Sequence, residues 1–182
     1  MVSWFLDAIC AGKQTIESLE KRMPDTPTGI CFSPHVYGSM NPRWDDKATA
    51  KIVGVTAETG VGHLYKALLE GASCELDLNV RALEKLAGET ENLTFCGGGT
   101  KSDAWMQLRA DIVGKPLSRL NGNVDCSCMG SAILAGIGAG IFKDAQDALK
   151  RVRLEKTRFQ PKNAKAYETQ KANYLTITGV QI

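Results

Sequence analysis

The sequence predicts an α/β protein, and three observations carry that prediction. Strand-like and helical stretches alternate over the second half, three consecutive glycines fall between a strand and a helix, and one long segment repeats its apolar residues at helical spacing. A chain of 182 residues can bury one sizeable core, so one domain is the default, and 43% hydrophobic with 23% charged residues is ordinary for a soluble globular protein. The formal net charge of +2, with Lys and Arg scattered, argues against a nucleic-acid or membrane surface.

From the N-terminus, "DAICAGKQTIESLEKRM" sets Ile9, Ile16 and Leu19 at helical intervals and predicts a helix ended at Pro24 by "PDTPTG". "GICFSP" reads as a short buried strand, and "HVYGSMNPRWDD" as a structured loop in which aromatic residues pack down. "TAKIVGVT" is strand-like, with β-branched residues between polar ones. Over "TGVGHLYKALLEGASCELDLNVRALEKLAG" the pattern becomes that of a long helix, with Leu64, Ala67, Leu68, Gly71, Cys74 and Leu78 three or four apart and Gly88 as its stop.

A strand "NLTFCG", a helix "KSDAWMQLRADIVG", a strand "KPLSRL" and a helix "CMGSAILAGIGAGIF" follow, which implies parallel β-α units. Two shorter helical stretches, "DAQDALKRV" and "NAKAYETQKANYL", complete the chain. Gly130, Ala132, Ala135, Gly136 and Ala139 are small at helical intervals, which predicts close packing of their helix against the sheet, and Asp125 just upstream is placed to cap that helix, the favoured reading, or to reach toward a site. Asp111 reads as a solvated or capping group. There is no internal repeat and no low-complexity segment.

The six cysteines are widely spaced, and "MVSWFLDAIC" has no basic region and is interrupted by Asp7, so a secretory signal is not expected. Free thiols in a reducing cytoplasm fit best. "CSC" does not make a zinc site, because His35 and His63 are the sole histidines and neither recurs at a finger spacing, so no metal ligands are assigned. No run of roughly 18 apolar residues predicts a membrane span.

The chemistry-bearing stretch is "LTFCGGGTKSDAW". A phosphate-binding P-loop would need Gly directly before the Lys-Ser pair and five residues further back, where this chain has Thr100 and Phe95, so that reading fails. Two readings remain. Gly97, Gly98 and Gly99 can bring bare backbone close to a ligand at a helix N-terminus, or Ser102 and Asp103 simply cap the helix.

"FCGGGTKSDAWMQLRADIVGKPL" followed by "DCSCMGSAILAGIGAG" resembles the adenosine-binding signature of the FGGY carbohydrate kinases and the helix after it. "FSPHVYGSMNPRWDDKATAKIVGVTAETGVGHLYKALLEG" is similar to the family's strand, Pro-Trp loop and long helix, and "FQPKNAKAYETQKANYL" to its C-terminal helix. The resemblance runs through essentially the whole chain in the family's order. It implies an actin-like, ribonuclease H-like ATPase fold, here the C-terminal FGGY domain without its first strands. Residues 1–28 would be an N-terminal helical segment, 29–160 the nucleotide-binding domain and 161–182 a C-terminal helix.

By the same resemblance, the complete enzyme transfers the γ-phosphoryl group of ATP, with Mg2+, to a hydroxyl of a sugar or polyol. Gly97, Gly98 and Gly99 would bind the nucleoside and α-phosphate side, Ser102 would face the adenine, and Asp125 falls where the family usually has an acidic residue. The catalytic base is expected upstream of this chain, which is therefore expected to be inactive alone. Expected partners are the substrate, an N-terminal half or a second copy. The loop has Ser39, Met40 and Asn41 where many members carry Glu-Arg-Thr, so no sugar follows from it. Trp44 and His35 are weaker substrate-contact candidates. A non-catalytic nucleotide-binding or regulatory module, half of a split kinase, and an actin-like ATPase are the competing readings.

Overall fold

The computed structural model describes residues 1–42, 44–122, 125–152 and 154–180. Its first helix, α1 (Val2–Trp4), continues as a π-helical turn at Phe5–Ile9 and stops where Ala11 and Gly12 take φ of 50° and 68°. A second helix, α2 (Ile16–Glu20), begins after Thr15, whose hydroxyl accepts from the Ser18 N–H while the Ser18 hydroxyl accepts from the Thr15 N–H. The one helix expected here is thus two. Ile9 and Ile16, which set the expected period, are each 43% exposed, and the buried anchors are Phe5, Cys10 and Leu19.

Strand β1 (Cys31–Ser33) is buried throughout and pairs antiparallel with the exposed β2 (Lys51–Val53), Phe32 opposite Ile52. The loop between them does not pack its aromatics down. Tyr37 and Trp44 are exposed, while His35 is buried with its Nε2 3.6 Å from the Glu75 carboxylate.

Helix α3 (Val61–Ala87) is the spine of the core, about 40 Å long at the usual helical rise. Its inner face carries Tyr65, Leu68, Leu69, Cys74 and Leu78, which cluster with Phe5 and Leu19 before it and with Tyr167 and Tyr174 far after it. Gly71 sets the closest approach: a Cβ there would lie 1.7 Å from the Phe32 carbonyl oxygen, so only glycine lets α3 rest on β1. Lys66 and Glu70 are drawn into the same interface. The Lys66 ammonium donates to the carbonyls of Pro24 and Thr26 at 2.7 and 2.8 Å, and Glu70 accepts from the Thr28 N–H and hydroxyl. Gly88 ends the helix with φ 85°, as its position predicted.

The second sheet has the order β3 (Leu93–Phe95), β4 (Leu117–Leu120), β5 (Lys156–Phe159). Between β3 and β4 runs α4 (Asp103–Val113), and the two strands are parallel, Leu93 beside Leu117 and Phe95 beside Arg119. β5, which no sequence pattern predicted, is antiparallel to β4, so the expected all-parallel continuation turns back on itself. Met106, Ala110, Leu117 and Phe159 form a small core of their own beneath α4.

Helix α5 (Cys126–Gly138) departs from expectation most. Its small residues do not pack on the sheet: Gly136 is its one buried residue, tucked against Phe142, while a Cβ on Gly130 would meet no atom within 4 Å and Leu134 is 71% exposed. Helix α6 (Ala145–Arg151), capped by Asp144, lies beside α5, and α7 (Glu168–Thr178) returns to pack on β1.

Candidate functional site

In open α/β sheets the crevice beyond the carboxyl ends of parallel strands is where ligands bind. The chain leaves β3 into the glycines and leaves β4 into Asn121 and Gly122, and between these exits lies a cleft of about 940 Å³. Its walls include Cys96, Gly97, Gly98 and Lys101 on one side and Asp125 and Cys126, at the start of α5, on the other; Arg119 and Asn121 lie between them along the chain, at the end of β4.

The three glycines differ in why they are glycine. Gly97 has φ 93°, a conformation that favours glycine, and its carbonyl accepts from the Thr100 N–H and hydroxyl at 3.1 and 2.8 Å, closing a 3-10 turn over Gly98–Thr100. Gly99 faces inward, where a Cβ would sit 3.1 Å from Arg109 and 3.2 Å from the Trp105 ring. Gly98 has neither constraint: its φ is not positive and an added Cβ would meet nothing within 4 Å. The fold does not demand glycine at 98, and the bare backbone there fronts the cleft.

Arg109 holds this turn from behind. Its guanidinium lies 3.8 Å from the Trp105 ring centre and donates to the Gly99 carbonyl at 3.0 Å. Burial lowers its pKa to about 10, which leaves it charged at neutral pH.

Ser102 is the N-cap of α4, its hydroxyl accepting from the Trp105 N–H at 3.0 Å, and neither Ser102 nor Gly99 is on the cleft wall. Of the four residues singled out from the sequence, the structure therefore brings Gly97 and Gly98 to the cleft and sets Gly99 and Ser102 one layer behind. Asp125 does two things at once. It lines the cleft and caps α5 by accepting from the Ser127 and Cys128 N–H groups, which hold its carboxyl below the usual range.

The cations were missed. Lys101 is exposed at the wall, and Arg119 reaches the Thr100 carbonyl at 3.0 Å and the Asp103 carboxylate at 2.5 Å, so its charge is partly answered already. The signal that finds them is positional, since both sit at or just beyond the carboxyl end of a strand of the parallel pair. Asp111 is neither solvated nor near the cleft: it is buried and accepts from the N–H groups of Lys162 and Asn163 at 2.6 and 3.0 Å, tying α4 to the turn before α7.

Solved structures share this fold. A xylulose kinase from Lactobacillus acidophilus superposes with a TM-score of 0.85 over 97% of this chain and 36% of its own, at 21% identity. A glycerol kinase of Plasmodium falciparum, solved with ADP, superposes with a TM-score of 0.78 over 100% of this chain and 37% of its own, at 27% identity. The fold is accordingly the actin-like, ribonuclease H-like one of these kinases.

The model of the FGGY family of carbohydrate kinases, C-terminal domain, matches residues 2–139, and the chain belongs to that family. It is similar to a glycerol kinase of Variovorax paradoxus, 31% identical over 173 residues, and to a xylulose kinase of Bacillus subtilis, 26% identical over 159. Those matches take in 91% and 86% of this chain but 34% and 32% of the relatives, so it spans about a third of the length of the curated proteins it matches.

Proposed function

We propose that this chain is the nucleotide-binding part of an ATP-dependent carbohydrate kinase, one that transfers the γ-phosphoryl group of ATP to a sugar or polyol hydroxyl. The observation that carries the reading is Gly98, a glycine required by neither backbone conformation nor packing, placed where its bare peptide fronts a cleft at the ends of two parallel strands. Gly97 and Gly98 give the backbone approach, and Lys101 and Arg119 supply positive charge suited to a polyphosphate. Gly99 and Ser102 act one layer back: Gly99 lets Trp105 and Arg109 support the turn, and Ser102 orders the start of α4 beside it. Residues 29–160 then constitute the nucleotide-binding region, with 1–28 and 161–182 as flanking helical segments.

Phosphoryl transfer asks a protein mainly to position groups and offset charge, with a base to orient the attacking hydroxyl. Asp125 is the sole carboxylate among the described lining residues and is already engaged by two backbone N–H groups, so these residues bind and orient the nucleotide without providing a base. Mg2+ in such sites is held largely by the substrate's own phosphates and waters, and no step is assigned to it here. The same engagement of Asp125 favours a second reading, in which the chain by itself is a nucleotide-binding module without transferase activity. The kinase reading expects transfer only with a complementary half that carries the base. The cytoplasm is the compartment in which such a kinase meets ATP, and a second copy or the complementary half is its expected partner.

Isothermal titration with Mg-ATP and with ADP tests the site. Binding should weaken at least tenfold in Gly98→Val while the cooperative thermal melt persists, because a Cβ added there meets no protein atom within 4 Å and the position lines the cleft. A chain that melts cooperatively yet binds neither nucleotide would sink the proposal.

A further inference from the structure

Three of the six cysteines stand at the cleft or beside it, and the mechanism above uses none of them. Cys10, Cys31 and Cys74 are buried, and desolvation raises their thiols, which makes them poor nucleophiles. Cys96, at the exit of β3, is exposed, and Cys126 is the first residue of α5; both line the cleft, from two different elements. The two thiols are near enough in the cleft wall for Cys96 to raise the pKa of Cys126. Cys128, also exposed, is not on the cleft wall, so the cleft itself selects one pair of the three.

We propose that Cys96 and Cys126 form a reversible disulfide across the cleft when the protein meets a hydroperoxide, and that this bridge shuts the nucleotide out. Cys96, the accessible sulfur, attacks the peroxide O–O bond and becomes a sulfenic acid, and the other oxygen leaves as water with the thiol proton. Cys126 then attacks the Cys96 sulfur and displaces its hydroxyl, which departs as a second water with the Cys126 proton. Two thiols and one hydroperoxide thus give one S–S bond and two waters (one water and an alcohol if the peroxide is organic), the thiols losing the two electrons that the peroxide gains. The neighbouring Cys96 thiol, and burial after it, raise the Cys126 pKa, which keeps its proton on until the sulfenic acid offers a target. The bridge joins the glycine turn to the first turn of α5, the two walls between which a ligand would enter. Thiol pairs of this kind in reducing compartments serve as sensors rather than staples.

The disulfide stands on the nearness of the two thiols alone, whereas the closing of the cleft rests on the nucleotide reading above, and one experiment separates them. The reduced full chain, treated with hydrogen peroxide, is digested without reduction and its linked peptides are identified by mass spectrometry. ADP binding is titrated before treatment, after it, and after dithiothreitol. A 96–126 linkage, with ADP affinity down tenfold or more and restored by dithiothreitol, is expected. Cys96→Ser and Cys126→Ser should each abolish both effects and Cys128→Ser neither.

Recovery of Cys96 or Cys126 only as over-oxidised acids, or linked to Cys128, would overturn the pairing. A 96–126 linkage with unchanged ADP affinity would overturn the closure. If the reduced chain binds no ADP, the nucleotide reading and the closure fail together, and the peptide map alone still decides the disulfide.

Discussion

Helices α3 and α5 each set apolar or small residues at helical spacing, and they end in opposite places. α3 carries Lys66, Glu70 and Asp77 and buries all three, whereas α5 is almost wholly apolar or small and among its residues buries only Gly136. The difference lies in what stands opposite. α3 meets β1, α2, α4 and α7, and the loop between α2 and β1 answers Lys66 and Glu70 with the Pro24 and Thr26 carbonyls and the Thr28 hydroxyl, while α5 meets chiefly α6. Apolar content makes burial favourable, but only a complementary surface makes it happen.

The largest break in this comparison is Gly71→Ala. A methyl 1.7 Å from the Phe32 carbonyl must push α3 off β1, so a loss of about 3 kcal/mol or more is expected, read as the disappearance of a cooperative thermal melt. A melt within a few degrees of the parent would show that the α3–β1 contact is not rigid.

Next in size is the buried carboxyl of α3. Burial pushes Glu70 up from its ordinary 4.5 to about 7, against the lowering effect of its Thr28 hydrogen bonds and of Lys66. Between those values the unfolded chain ionises before the folded one, so the native state holds the extra proton and stability falls as pH rises from about 4.5 to 7, then levels. Denaturant titrations should show this as a decline of about 2 to 3 kcal/mol at the usual conversion of pKa to free energy. Glu70→Gln should flatten most of it, leaving the smaller slope of Asp77, whose pKa burial also raises. An unchanged slope in the variant would place the proton elsewhere.

The smallest effect lies on α5 and has the opposite sign. Gly130→Ala puts a methyl into open space within a helix, so stability should rise by up to about 1 kcal/mol in the same titrations. A loss instead would mean that something covers this face in solution.

Much of the fold was legible because it is written in local chemistry. The long period of α3, its stop at Gly88 and the glycine turn after β3 each follow from residues within a few positions of one another. What was missed is set by residues distant in sequence. β5 reads as "KTRF", a strand with one buried residue, Phe159, and it exists because β4 offers an unpaired edge. Asp111 looks like a surface residue until the backbone of residues 162 and 163 arrives over it. In the site, the glycines were visible as a motif, but their separate duties were not. Gly98 and Gly99 differ only in what a Cβ would meet, which spacing cannot express.

The stack of Arg109 on Trp105 also gives the molecule an optical property. A guanidinium 3.8 Å from the indole ring, held there by its bond to the Gly99 carbonyl, ties the emission of Trp105 to the posture of the glycine turn. Trp44 is 73% exposed and should yield first to an aqueous quencher, which leaves the quencher-resistant fluorescence weighted toward tryptophans such as Trp105. Whatever settles on the turn from the cleft side should therefore change the colour or intensity of light emitted from behind it.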